Sequence, residues 1–250
     1  MGQALTRVAA EFPDLRLVGA ITAAGSPVLG RDLGQYAGIA PLGITLSADL
    51  ASALRNADVA IDFSRPEASA ANLAACRAAG TALLIGTTGL RPLLSESEQS
   101  EAARQIALLV AANTSLGVTL LMELVRQAAS ALPAEFDVEI LETHHRMKRD
   151  APSGTALALG QVAATARGTA LDEIAADRAG PRRPGAIGFA VSRGGDVVGE
   201  HEVRFLGPGE QLVLAHRATD RAVFARGAIT AALWLAQQPA GRYEMRDILF

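Results

Sequence analysis

The residues able to do acid–base chemistry in this chain gather in one stretch, Glu142-Thr143-His144-His145-Arg146-Met147-Lys148-Arg149-Asp150-Ala151-Pro152-Ser153-Gly154-Thr155. Two of the four histidines stand there side by side, and Lys148 is the only lysine among 23 basic residues. An ammonium can give up a proton, whereas a guanidinium in a protein in effect cannot. Lys148 beside His144 and His145 therefore reads as a proton donor; the plainer alternative is one lysine surviving on a solvated loop. Pro152-Ser153-Gly154-Thr155 has the composition of a helix start, with Ser153 as its cap. The first N–H groups of such a helix lack partners and carry partial positive charge, which suits a carboxylate or phosphate. Gly154 permits close approach and Thr155 adds a hydroxyl. The stretch thus reads as a cationic pocket holding a proton donor, fit for a carboxylate substrate and a reaction that requires protonation.

Competing chemistries are weaker. Adjacent histidines cannot easily point at one ion and no third ligand stands at customary spacing, so no metal is expected. His201 and His216 fall in predicted strands and read as core or surface residues. Cys76, the single cysteine, sits among alanines in a predicted helix, the setting of a small core residue rather than a nucleophile, and no Gly-x-Ser-x-Gly elbow occurs. A net charge of −3, with no long basic block, gives no electrostatic case for nucleic acid or a membrane surface. No apolar run reaches the roughly 18 to 20 residues of a membrane span, and the opening residues do not read as a signal peptide. A cytoplasmic protein is expected.

The elements that must position this chemistry alternate. Residues 3–12 read as an amphipathic helix, 15–21 as a buried strand, 24–43 as a loop, and Ser47 as the cap of a helix through Leu54. Strands follow at 58–64, 81–85 and 107–111, separated by helices that Pro66 and Ser95 open. This rhythm predicts an α/β fold: a Rossmann-like parallel sheet covered on both faces, with ligands beyond the carboxyl ends of its strands. Three of those ends, 62–66, 86–89 and 111–115, carry small or hydroxyl-bearing residues. After a helix at 116–131 the pattern becomes that of a smaller α+β unit: a strand at 137–142, the key loop, a helix at about 154–167, and a loop-like region at 160–184. Strands at 187–192 and 197–205 are joined through Arg193-Gly194-Gly195-Asp196, a hairpin signal, and Gly207-Pro208-Gly209 turns the chain into a strand at 211–216. An apolar helix at 223–236 and a docking tail at 245–249 close the chain.

At the key loop the sequence resembles the 4-hydroxy-tetrahydrodipicolinate reductase (dihydrodipicolinate reductase) family. Its signature Glu-x-His-His-x-x-Lys-x-Asp-x-Pro-Ser-Gly-Thr-Ala is reproduced by residues 142–156. The similarity extends through Leu29-Gly30 with Asp32 and Gly34, Asp62-Phe63-Ser64-Arg65-Pro66-Glu67, Gly86-Thr87-Thr88-Gly89, Ala111-Ala112-Asn113, Gly195 to His201, and Met245-Arg246-Asp247. The resemblance implies a dinucleotide-binding domain at 1–115, a substrate-binding and tetramerisation domain at 116–221, and a return to the first domain at 222–250. It implies hydride transfer from NADPH or NADH to a cyclic dicarboxylate in lysine and diaminopimelate biosynthesis, by a homotetramer. By the same match His144 is proton donor/acceptor and Lys148 proton donor, and His145, Gly154 and Thr155 hold substrate carboxylates. Gly86, Thr87, Thr88, Ala111, Ala112, Asn113 and Thr114 line the cofactor.

Two departures accompany the match. The family opens with a strand and a Gly-x-x-Gly-x-Met-Gly turn that cradles the pyrophosphate, and this chain opens at Met1-Gly2, which corresponds to the end of that turn. The expectation is a start displaced upstream, with a central strand and a phosphate site missing. The residues after the second strand, Thr22-Ala23-Ala24-Gly25, carry no charge to sort NADH from NADPH, and Thr114 stands where an aromatic residue can occur. The rival from another class is a pseudoenzyme that keeps the dicarboxylate pocket and binds cofactor poorly.

Overall fold

The computed structural model describes residues 1–90, 93–171 and 180–250. The chain divides into two compact units, Met1–Leu116 with Ala222–Phe250, and Gly117–Arg221.

The first unit begins with α1 (Gly2–Ala9), β1 (Ala20–Ile21), α2 (Leu33–Ala37), β2 (Leu46–Ser47) and α3 (Leu50–Leu54). It continues with β3 (Val59–Asp62), α4 (Pro66–Ala79), β4 (Ala82–Ile85), α5 (Glu96–Ala103) and β5 (Ala107–Val110). Local chemistry sets these limits. Pro66 occupies the first turn of α4, where its missing N–H costs nothing, and Gly80 ends the helix at φ 69°. Ser95 and Glu98 close a reciprocal capping box on α5. The strands β3, β4 and β5 run parallel, and Leu83, Leu84, Ile85, Leu108 and Leu109 are almost wholly buried, as in a sheet covered on both faces.

Three expectations fail here. The run 15–21 is neither long nor buried as a strand: only Ala20–Ile21 pairs, with β2, and Val18 and Ile21 are 39% and 41% exposed. Leu15 and Leu17 pack instead beside Val8, Ala225 and Ile229. The segment 24–43 contains α2, started by Asp32, whose carboxylate accepts from the Gln35, Leu42 and Gly43 amides. The cap of α3 is Asp49, accepting from Ser52 N, while Ser47 belongs to β2.

The second unit holds most of α6 (Leu116–Ala131), then β6 (Asp137–His144), α7 (Gly154–Ala166), β7 (Ile187–Arg193), β8 (Gly199–Gly207) and β9 (Glu210–Ala218). The sheet order is β7-β6-β8-β9. The turn at 207–209 joins β8 and β9 as a hairpin, with Gly209 at φ 77°. The glycines at 194–195 do not make one. β7 lies parallel to β6 on one edge and β8 antiparallel to it on the other, so β6 separates the expected partners. The physical reason is burial: Val138 and Ile140 of β6 are fully buried with Phe189, Val203 and Phe205 of its neighbours, and the centre is the position that buries them. Residues 194–195 cross the end of β6, held by Gly194 N donating to His144 O (3.0 Å) and Arg146 N to Gly195 O (3.2 Å). The loop expected at 160–184 is helical through Ala166, and residues 172–179 of it lie outside the described residues.

The chain then rejoins the first unit with α8 (Ala222–Leu235), β10 (Gly241–Tyr243) and a 3-10 turn, Met245–Ile248. β10 adds to the parallel sheet beside β5, giving the order β10-β5-β4-β3, while Ala228, Ala231 and Leu235 of α8 pack on Leu84 and Leu109.

Candidate active site

In the second unit the strand β6 alternates, so Glu142 and His144 project to the buried face and Thr143 to the other. The Glu142 side chain is the hub. Its Oε2 lies 2.5 Å from His144 Nδ1 and accepts from Arg193 Nη1 at 2.8 Å; its Oε1 accepts from Arg193 Nη2 (2.8 Å) and from Ser153 N (2.9 Å). Burial opposes charging this carboxyl, but the hydrogen bonds of Arg193, His144 and Ser153 more than offset it and hold its pKa below the ordinary range. His144 is held below its usual pKa by burial first, with Glu142 pulling the other way and the charges of Lys148 and Arg193 adding to the fall.

Ser153 caps α7 as expected, its Oγ accepting from Ala156 N at 3.1 Å. The same oxygen lies 3.0 Å from His201 Nε2. The His201 ring stands edge-on to His144, centroids 5.1 Å apart. Burial, then the charge of His144, pushes His201 down to about 4. It is neutral at physiological pH, so only one of its ring nitrogens carries hydrogen, and the Ser153 oxygen that it meets also accepts from Ala156 N. His216 stands opposite His201 in the ladder, and burial lowers its pKa as well.

The loop between β6 and α7 carries the remaining candidates. Lys148 N donates to His145 O at 3.1 Å, and Lys148 Nζ pairs with Asp150 Oδ1 at 2.9 Å. The Asp150 carboxyl is lowered chiefly by that bond. His145 and Thr155 are half-buried, and Gly154 is exposed at the start of α7. A Cβ built on Gly154 meets nothing within 4 Å, so the helix terminus opens onto free space. The unit therefore joins a histidine held by a buried carboxylate, a lysine paired to an exposed one, and a helix N-terminus. Such a group can bind an anion and move a proton.

In the first unit the ends of β3, β4 and β5 show how the cofactor candidates are placed. Asp62 accepts from Ser64 N, Ser69 Oγ and Asn72 Nδ2 and so fixes the turn after β3. Gly86 follows β4 with its amide on Asp62 O, and a Cβ there would meet the Phe63 ring at 2.3 Å. Thr87 is buried, its hydroxyl donating to the carbonyls of Asp62 and Ser64, while Thr88 is exposed. After β5, Ala111 is half-buried and Ala112 exposed, and Asn113 Oδ1 accepts from Ser115 N. Thr114 is 1% exposed and donates its hydroxyl to Phe224 O at 2.7 Å, so that side chain is spent inside the protein. Small residues at the carboxyl ends of adjacent parallel strands fit a dinucleotide. Cys76 is buried, and burial pushes its thiol to about 12, which removes it as a nucleophile. Among the described residues no group of three or more His, Cys, Asp or Glu is arranged to hold a metal.

Sequence reading missed two members of this group. Arg193 falls in the expected hairpin turn and His201 reads as a core or surface residue; Glu142 enters only as part of a motif. The Glu142-x-His144 spacing on a strand was the available signal, because residues two apart share a face. Nothing local marks Arg193, whose pairing exists only because β7 flanks β6.

Comparison with known proteins agrees with the geometry. The family model "Dihydrodipicolinate reductase, N-terminus" matches residues 1–114, and "Dihydrodipicolinate reductase, C-terminus" matches residues 117–249. A 4-hydroxy-tetrahydrodipicolinate reductase from Anaeromyxobacter dehalogenans (strain 2CP-1) is 50% identical over 100% of this chain and 93% of its own length. One from Bradyrhizobium diazoefficiens matches equally, at 50% with the same coverage. Among solved structures, a dipicolinate-bound dihydrodipicolinate reductase from Paenisporosarcina sp. TG-14 superposes with a TM-score of 0.78 at 23% identity, over 97% of this chain and 92% of that one. An amine dehydrogenase from Mycobacterium smegmatis shares the fold at a TM-score of 0.62 and 14% identity, covering 98% of this chain and 92% of that one. With both family models matched and half of all positions identical across its whole length, the chain belongs to the dihydrodipicolinate reductase family of oxidoreductases.

Proposed function

We propose that the chain reduces 4-hydroxy-tetrahydrodipicolinate to tetrahydrodipicolinate, a step of lysine and diaminopimelate biosynthesis, with NADPH or NADH as reductant. The observation that carries this reading is the Glu142–His144 pair beside Lys148 and the open N-terminus of α7. When bound, the reduced nicotinamide supplies a hydride; water leaves the substrate and one proton is taken up. The amides at Gly154 and Thr155, with the Thr155 hydroxyl and His145, hold the substrate carboxylates. Positive charge from Lys148 faces the same anion. Lys148, once released from Asp150, delivers the proton, and His144 gives or takes a proton at Nε2. Gly86, Thr88, Ala111, Ala112 and Asn113 meet the cofactor, while Thr87 and Thr114 hold the turns that present it.

The charge-free Thr22-Ala23-Ala24-Gly25 segment supports use of both nicotinamides without strong preference. A homotetramer is supported by the second sheet, where Val191, Leu212 and Val213 are large apolar residues left exposed. A cytoplasmic setting follows from a water-soluble coenzyme and substrate; among the described residues no helix is long and apolar enough to cross a membrane. The test is turnover by the purified chain with 4-hydroxy-tetrahydrodipicolinate and each nicotinamide, followed at the reduced-nicotinamide absorbance. Oxidation of either coenzyme that depends on the substrate is expected; binding of dicarboxylate without any oxidation would favour the pseudoenzyme instead.

A further inference from the structure

Glu142 is 3% exposed, yet it stays ionised, and four donor contacts converge on its two oxygens. A buried carboxylate with no task beyond stability is poorly rewarded, since desolvation consumes most of what its partners return. Its partners divide by oxygen. Oε2 faces His144; Oε1 faces the Ser153 amide at the cap of α7; Arg193 bridges both oxygens and also donates from Nη2 to Asp150 O at 2.7 Å.

We propose that Glu142, neutralised by Arg193, is the positioning residue of this site: it fixes the His144 proton on Nδ1 and ties that ring to the start of α7. An ionised carboxylate only accepts, so the nitrogen it touches must carry the hydrogen, and Nε2 becomes the atom that exchanges protons. The opposite side of the ring agrees. A Cβ built on Gly199 would lie 3.0 Å from His144 Nε2, so the absence of a side chain there leaves room for the ring in this orientation. Through Oε1 the same carboxylate sets the α7 terminus, so the proton-moving group and the carboxylate cradle share one anchor. The inference rests on the reductase reading for its kinetic consequence but not for the tautomer. Charged and titratable groups facing His144 are Glu142 on its own strand, Lys148 on the loop (itself paired to Asp150), Arg193 on β7 and His201 on β8, with His216 on β9 behind His201.

Glu142→Gln separates the two duties. The amide oxygen can still accept from Ser153 N, while its NH2 now meets Nδ1 and drives the proton to Nε2. Expected is a fall in kcat of about a hundredfold or more, with the dissociation constant for dipicolinate changed by no more than about threefold. The pH limb set by His144 should move to lower pH, because the imidazolium has lost its carboxylate. A general packing defect would instead raise KM and leave that limb in place, and this result, or a kcat within twofold of the parent, overturns the proposal. Should the variant not fold, ring-nitrogen NMR of the unmodified chain labelled with 15N-histidine decides the matter, with His144 assigned by loss of its signals in His144→Gln. A proton on Nδ1 is expected, and one on Nε2 at neutral pH overturns it. Absence of turnover by the parent chain would count against the reductase reading alone, since the tautomer is read without it.

Discussion

Gly154→Ala tests whether the start of α7 holds a substrate carboxylate. Gly154 has no positive φ and a Cβ built there meets nothing within 4 Å, so alanine enters without strain. Alanine in place of glycine in a helix favours folding by up to about 1 kcal/mol. The methyl group would, however, occupy the open space at the start of α7. Losing one charge-assisted hydrogen bond to a carboxylate costs roughly 1.5–3 kcal/mol, which is about 10- to 150-fold in affinity. Urea denaturation should therefore show an unchanged or slightly raised midpoint, while calorimetric titration with dipicolinate shows weaker binding. Gly86→Ala is the contrasting control. Its Cβ would sit 2.3 Å from the Phe63 ring, and such overpacking costs about 1–3 kcal/mol of stability. Unchanged dipicolinate affinity in Gly154→Ala would refute the placement of a carboxylate at that terminus. A stability loss there like that of Gly86→Ala would refute the claim of open space.

Two further predictions concern protons. Lys148→Arg keeps the charge and its pairing with Asp150 but not the transferable proton, so it should fold, bind dipicolinate and lose roughly 10²- to 10⁴-fold in kcat; turnover close to that of the parent would mean that Lys148 serves only as a charge. His201 titrates near 4 in the folded chain and near 6.5 when unfolded, so the unfolded state binds the extra proton between those values. Stability is then whole above about 6.5 and falls as the pH drops toward about 4, by at most about 3 kcal/mol from this residue. Urea midpoints at pH 7.5 and 4.5 should converge in His201→Asn relative to the parent, and an identical acid loss in both would show that His201 is not the group protonated.

The sequence carried the chemistry of the site and the alternation of its first unit. A lone lysine beside paired histidines and a Pro-Ser-Gly-Thr helix start are local signals, since a cap and the residues it precedes are neighbours in the chain. Pro66 and Ser95 mark helix starts in the same way. Where pairing or burial depended on distant residues, reading failed. The run 15–21 has the composition of a buried strand but only one short partner, and the glycines at 194–195 have the composition of a hairpin but span a third strand. That crossing matters for function. Because β6 is central, Arg193 arrives beside Glu142 from one edge and His201 beside His144 from the other. The sequence by itself singled out the lysine, the paired histidines and the helix start that are proposed to carry the chemistry, because each is marked by residue type and local spacing. The tertiary structure alone supplied the carboxylate–arginine anchor that orients them, because strand order is chosen by which apolar strand gains most from being buried at the centre of the sheet.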